Sequence, residues 1–212
     1  MTLVVRAIVR AGDAGRYDGF VTVRGGDVAA LATRADAAPA PDEAAIREHH
    51  SLAARIHDAG PSLPSRFGQA FADEAALASA IAARQDELSV ALGAIGDRVE
   101  VSVTLAWRHR SAAPVATAPR TGHEFLIAKA ARERGRREAD EAVTRLVAAL
   151  ANEQAIVRHD ICPRDGVAAI VAFLVERDAV REMRARVEAF ARRDERVSAT
   201  LHGPMPPYSF TS

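Results

Sequence analysis

Short apolar blocks, strict alternation and three-to-four-residue periodicity succeed one another along this chain, and each predicts an element. Leu3 to Val9 is an apolar run broken only by Arg6, and Phe20-Val21-Thr22-Val23 follows after a glycine-containing loop; both predict strands. Arg24-Gly25-Gly26-Asp27 predicts a turn, because paired glycines accept positive φ, with Val28 to Thr33 returning as the hairpin partner. The alanines of that return run favour helix as the alternative. Ala35 to Asp42, with Pro39 and Pro41, is a linker. Ala45, Ile46, His49, Leu52, Ala53 and Ile56 then share one face of a helix from Glu43 to His57, which Ala59-Gly60-Pro61 stops. Leu63 to Phe71 predicts an extended segment. A single helix follows from Ala72-Asp73-Glu74 to Gly96-Asp97, with Leu77, Ile81, Leu88, Leu92 and Ile95 inward. Val99, Val101, Val103, Leu105 and Trp107 alternate with Glu100, Ser102, Thr104 and Ala106, the pattern of a half-buried strand.

Strand, hairpin, helix, strand, helix, strand predicts a sheet covered by helices on one face, in the manner of a ferredoxin-like α+β sandwich. Ser111 to Thr121, with Pro114 and Pro119, is the expected linker between halves. Beyond it, His123 to Ala151 has a helical pattern interrupted by the polar run Arg132 to Arg137 around Gly135. Ile156 to Ile161 and Val167 to Val175 predict two strands reversing at Cys162-Pro163-Arg164-Asp165-Gly166. Val180, Met183, Val187 and Phe190 mark a helix, Val197 to Leu201 a last strand, and a proline-rich tail closes the chain. The fold class is therefore α+β with two domains: residues 1–110, a linker 111–121, and a smaller domain 122–212 that carries the tail.

Composition narrows the function. Of 212 residues, 49% are hydrophobic and 26% charged, which is the balance of a folded protein rather than a disordered one. The 28 basic and 28 acidic side chains cancel, so no overall field draws nucleic acid or an anionic membrane to the surface. Cys162 is the single cysteine, which excludes an intrachain disulfide and a multi-cysteine metal site. No apolar run approaches the roughly twenty residues of a membrane span, and Met1 to Arg10 lacks the marks of a secretory leader. A cytoplasmic protein is expected.

Candidate chemistry is sparse. His49, His50 and His57 have no metal-ligand spacing, and His49 on the apolar face is expected to bond a carbonyl through one ring nitrogen. Cys162 and His159, three apart on a strand, face opposite sides, so a structural thiol is expected rather than a nucleophile. Gly25-Gly26 fits no phosphate-binding loop. Arg132, Arg134, Arg136 and Arg137 are interspersed with Glu133, Glu138, Asp140 and Glu141, and are expected to form an ion-paired, solvated face. In Pro206-Pro207-Tyr208-Ser209-Phe210 a stiff segment precedes two aromatics, and it either packs back across a domain or presents Tyr208 and Phe210 to a partner. No catalytic, cofactor-binding or metal residue is assigned.

Five strings in fixed order resemble one family, the gas vesicle accessory proteins GvpF and GvpL. They are the hairpin from Val21 to Thr33 with the His49 helix, Leu63-Pro64-x-Arg66-Phe67-Gly68 with Phe71, the Glu100 strand, Gly122-His123-Glu124-Phe125-Leu126-Ile127-Ala128-Lys129, and Gly203-Pro204-Met205-Pro206-Pro207-Tyr208-Ser209-Phe210. Met205 stands where the family usually has tryptophan, Ser65 where an aliphatic residue is usual, and Thr104 where lysine is frequent. The resemblance implies a modified ferredoxin-like first domain, a second α+β domain and a non-enzymatic role. It also implies an accessory or minor structural protein of gas vesicles that binds the hydrophobic shell protein GvpA during assembly. On that reading Arg66, Phe67, Phe71, Tyr208 and Phe210 are the candidate partner-binding residues, with no cofactor and neither nucleic acid nor membrane as partner. The alternative is a ferredoxin-like small-ligand-binding protein or enzyme unrelated to buoyancy.

Overall fold

The computed structural model describes residues 1–109, 121–150, 156–160 (backbone alone) and 166–211. The chain falls into two compact units: Met1–Glu100 with Met205–Ser212, and Val101–Pro204. The expected division at 110 and 122 is not where the units part. Their boundary lies inside a strand, and the terminal tail counts with the first unit. The linker segment 111–120 and the turn 161–165 with Cys162 lie outside the described residues, as do the side chains of 156–160, including His159.

In the first unit β1 (Thr2–Arg10) is central. β2 (Val21–Gly25) and β3 (Val28–Ala35) form the expected hairpin, and β3 runs antiparallel to β1 with Val9 opposite Ala29. On the other edge of β1 sit two strands of two residues each, β4 (Leu63–Pro64) and β5 (Ala70–Phe71). The extended segment expected over Leu63 to Phe71 is thus a pair of strand stubs with a turn between them. Seven consecutive residues of β1, Leu3 to Val9, are buried, which requires cover on both faces of the strand. Ala7, Val9 and Leu31 pack with Ile56 of α1 (Glu43–Ala59), whereas Ile8 lies with Ile81 and Leu88 of α2 (Glu74–Ala82) and α3 (Gln85–Ile95). The one-sided layer expected from the sequence is therefore two-sided. Asp42 and Asp73 start α1 and α2 by accepting from the amides of Ala45 and Ala76, both at 2.8 Å. On α1 the buried stripe is His49, Ala53, Ile56 and His57, while Ile46 remains 47% exposed.

The single helix expected from Ala72 to Gly96 is broken at Ala83-Arg84, where Arg84 leaves helical geometry (φ −119°, ψ 14°). The hairpin turn presses on this break. A β-carbon at Gly25 would overlap Ile81 Cγ1 and lie 2.8 Å from the Ala82 backbone nitrogen, and one at Gly26 would overlap Gln85 Oε1. Gly26 also needs glycine for its φ of +69°.

In the second unit the sheet order is β7 (Ile156–Asp160), β8 (Val167–Glu176), β6 (Arg98–Trp107), β9 (Val197–Met205). β6 alternates in burial as expected, with Val99, Val101, Val103 and Leu105 inward. It does not, however, complete the first sheet. Its backbone partners lie in the second unit, where Trp107 N–H donates to the Gly166 carbonyl at 2.8 Å. α4 (Gly122–Leu150) runs unbroken through the polar stretch Arg132 to Arg137 where an interruption was expected. Gly135 sits on its buried stripe with Ala139, Ala142, Val143 and Leu146, so a residue that costs an exposed helix about 1 kcal/mol is here a packing position. α5 (Val180–Arg193) buries Met183, Val187 and Phe190 as the spacing predicts. After it, Asp194 caps the following turn, accepting from the amides of Arg196 (2.9 Å) and Val197 (3.1 Å) and from Arg145 Nε (3.0 Å). Burial raises the Asp194 carboxyl, but these bonds outweigh it and leave its pKa below the usual value. Among the described residues no helix is long and apolar enough to cross a membrane.

Candidate functional site

Arg6, the buried charge in an apolar strand, organises the site. The register of β1 against β3 shifts between Val5 and Ala7, a bulge that re-aims the intervening side chain. Arg6, 7% exposed, donates from Nε and Nη2 to Thr33 Oγ1 (3.0 and 2.9 Å) and from Nη1 to His49 Nδ1 (3.1 Å). A guanidinium can only donate, so His49 Nδ1 is the acceptor and the proton sits on Nε2, which donates to the Ser65 carbonyl at 3.0 Å. The carbonyl bond expected of His49 is present, and it clamps the strand stub to α1. Ser65, buried, gives its hydroxyl to the Val5 carbonyl at 2.5 Å and its amide to the Arg6 carbonyl at 3.0 Å. A serine at this position therefore closes the bulge, which an aliphatic side chain does not do.

Burial lowers the His49 pKa; the Ser65 bond opposes this, and Arg6 and His50 reinforce it. Burial also lowers that of Arg6, with Glu48 acting the other way. A base with a depressed folded-state pKa binds fewer protons in the folded state, so its stabilisation is complete above the unfolded value of about 6.5. It is lost as pH falls below that value, at up to about 1.4 kcal/mol per pH unit. Glu100, whose pKa burial raises, has the opposite slope above 4.5. We expect urea midpoints to fall between pH 7 and pH 5, and His49→Gln to flatten the fall. An equally steep fall in that variant would place the titrating group elsewhere.

Held by this clamp, the turn from Leu63 to Phe71 lines a groove of about 680 Å³ together with Ile8, Ile81, Arg84, Leu88 and Thr211. Gly68 (φ +79°) makes the turn, and Gln69 returns it to β1 by accepting from Val5 N–H at 2.9 Å. Arg66 is exposed and has no hydrogen-bond or carboxylate partner for its guanidinium among the described residues. Phe67 is half-buried with its ring edge-on to His49, 5.6 Å between centroids at 80°. Phe71, half-buried, pairs with Leu3 across β5 and β1. Arg84 is held by both oxygens of Glu87 (3.0 and 2.6 Å), a bond that raises its pKa. Neither acid nor histidine is among the described lining residues, so the groove offers apolar surface and one free cation rather than an acid–base pair.

The two remaining candidates are in the tail, which packs on the first unit. Phe210 is buried at 8% exposure. Ser209 donates from its amide and its hydroxyl to the two oxygens of Glu100, both at 2.8 Å. Tyr208 stacks on His50, 5.8 Å and 28° between rings. Its hydroxyl is buried without a partner, and burial with the nearby Glu100 charge pushes its pKa up to about 12. The structure therefore brings Arg66, Phe67 and Phe71 to one groove, and turns Phe210 inward.

In the sequence Glu100 falls on the polar side of an alternating strand and is not among the candidate partner-binding residues. It is 3% exposed and its hydrogen bonds come from the tail. His57 is also buried and engaged, with Nδ1 3.2 Å from Ser62 Oγ and Nε2 2.9 Å from the Arg98 carbonyl. In the second unit a pocket of about 550 Å³ gathers Trp107, His109, Glu138, Glu195 and Arg196. Among the described residues no group of three histidines, cysteines or carboxylates is placed to hold a metal ion.

Comparison with known proteins gives a consistent picture. The family model described as "Gas vesicle synthesis protein GvpL/GvpF" matches residues 8–212. The crystal structure of gas vesicle protein GvpF from Anabaena sp. PCC7120 superposes with a TM-score of 0.71 at 16% identity, covering 100% of this chain and 96% of that one. GvpF from Microcystis aeruginosa superposes with a TM-score of 0.73 at 15% identity, covering 100% and 99%. At these identities the superpositions show a shared mixed helix-and-strand fold. No curated protein matches the sequence.

Proposed function

The chain belongs to the GvpL/GvpF family of gas vesicle synthesis proteins, and from that premise we propose that it is an accessory protein that binds the hydrophobic shell protein GvpA during gas vesicle assembly. The observation that carries this reading is the groove beside the Leu63–Phe71 turn, with Arg66 free at its rim and Phe67 and Phe71 half-buried in its wall. A shell subunit apolar enough to exclude water has to be shielded before it polymerises, and a groove that combines apolar side chains with a single free cation suits a transient, oriented contact. The Arg6–His49–Ser65 clamp holds the turn in place before a partner arrives, which lowers the entropic cost of binding. Tyr208, stacked on His50, and the buried Phe210 hold the tail on the first unit. On this reading the first unit is a modified ferredoxin-like sandwich, and the protein acts in the cytoplasm on or beside the vesicle.

The test is a pull-down of purified GvpA by the intact chain and by Arg66→Ala, Phe67→Ala and the double variant, each with an unchanged thermal midpoint. The double variant is expected to retain less than one tenth of the bound shell protein. Full retention by all three variants would sink the proposal.

A further inference from the structure

The first turns of α4 carry a second surface that the groove does not explain. From Gly122 to Arg134 every residue is exposed except Ala128, which is half-buried. Phe125, Leu126 and Ile127 are 50%, 64% and 56% exposed. Consecutive helical residues point about 100° apart, so these three side chains ring most of the helix tip instead of forming one stripe. Behind the ring lie Lys129, Arg132, Arg134, Arg136 and Arg137, against Glu124 and Glu133 as the carboxylates between 122 and 137. The ion-paired face expected from the sequence forms only in part. Arg137 lies 3.6 Å from Glu133, whereas Lys129, Arg132, Arg134 and Arg136 have no carboxylate partner among the described residues.

The tip is a preformed helix. Thr121 Oγ1 accepts from Glu124 N–H at 3.2 Å, and Glu124 Oε2 accepts from Thr121 N–H at 3.3 Å. This reciprocal capping box fixes the first turn without help from packing.

We propose that the start of α4 is a plug that inserts into another protein, whose socket is apolar at its base and carries carboxylates around its rim. An apolar ring on all sides needs a partner that surrounds the helix, whereas a bilayer surface takes only one face. The basic collar requires an acidic rim, and its arginines match carboxylates as two-pronged donors. The same collar disfavours a second copy of this helix, since two cationic collars repel.

The experiment places a benzophenone amino acid at Leu126 of the full-length chain and irradiates gas-vesicle-forming cells, with the same probe at exposed Val90 as control. The expected result is an adduct with one protein, absent from the Val90 sample. Its cross-linked peptide is apolar and flanked by aspartate or glutamate, and Arg132→Glu with Arg134→Glu lowers the yield at least tenfold. An adduct with lipid, an adduct with a second copy, a yield indifferent to the charge reversals, or no adduct would each overturn the proposal. The inference is independent of the groove: Phe67→Ala is expected to leave the Leu126 adduct unchanged.

Discussion

Gly25→Val is expected to lower the unfolding free energy by about 3 kcal/mol, the upper part of the usual range for overpacking. Most glycine substitutions in hairpins act through backbone conformation, but this one acts through space. A β-carbon at residue 25 meets Ile81 Cγ1 and the Ala82 backbone nitrogen, and the second of these belongs to a helix that cannot swing aside as a side chain can. Relief requires either the hairpin turn or the α2–α3 break to move, and both are tied to the central sheet. Urea denaturation of the purified chain measures the effect, with Gly12→Ala as the reference, because no atom lies within 4 Å of a β-carbon there. A Gly25→Val midpoint matching the reference would show that the junction yields easily, and the close approach would then not explain why the helix breaks at Ala83-Arg84.

Phe210→Ala is expected to cost a similar amount, about 3 kcal/mol, as a buried aromatic truncated to alanine. Its consequence reaches further than the cavity. The tail carries the donors bonded to Glu100, a carboxylate that is 3% exposed and accepts from the amide and the hydroxyl of Ser209. Once the Phe210 anchor is weakened, water reaches that carboxylate and competes for it, so the tail leaves its seat. Carboxypeptidase digestion reads this directly. The parent chain should resist trimming past Phe210, and the variant should be trimmed to the end of β9. Equal resistance in both would mean that the Glu100–Ser209 bonds hold the tail without the aromatic.

What was legible in the sequence was local or periodic. Asp42 and Asp73 declare their helices because a cap bonds an amide three residues on, and Val99 to Leu105 declare a strand because alternation needs no knowledge of the partner. His49 was readable for the same reason, as a polar residue on an apolar stripe that had to find a carbonyl. What escaped depends on chain distance. Arg6 reads as an interruption in a strand, and its histidine partner lies 43 positions away. The break at Ala83-Arg84 has no local signal, since Ala and Arg both favour helix; what packs against it is a turn nearly sixty residues earlier. Glu100 shows the limit of alternation: a polar position in a strand is outward only until another segment, here 109 residues away, covers it. The Thr121–Glu124 box is local in the same way as the aspartate caps, a threonine followed three residues on by a glutamate at the start of a helix. The candidate groove was half legible. Its string of residues was singled out through a resemblance, but the turn that makes it concave, and the helix break that faces it, are tertiary facts.

The division of the chain at Glu100 and Val101 also sorts its chromophores. Trp107, the single tryptophan, falls in the second unit, while both tyrosines, Tyr17 and Tyr208, fall in the first. Light absorbed by indole alone, to the red of the phenol band, therefore reports on the second unit, and the tyrosine signal reports on the first. The protein carries, without labelling, one optical channel for each half of its fold.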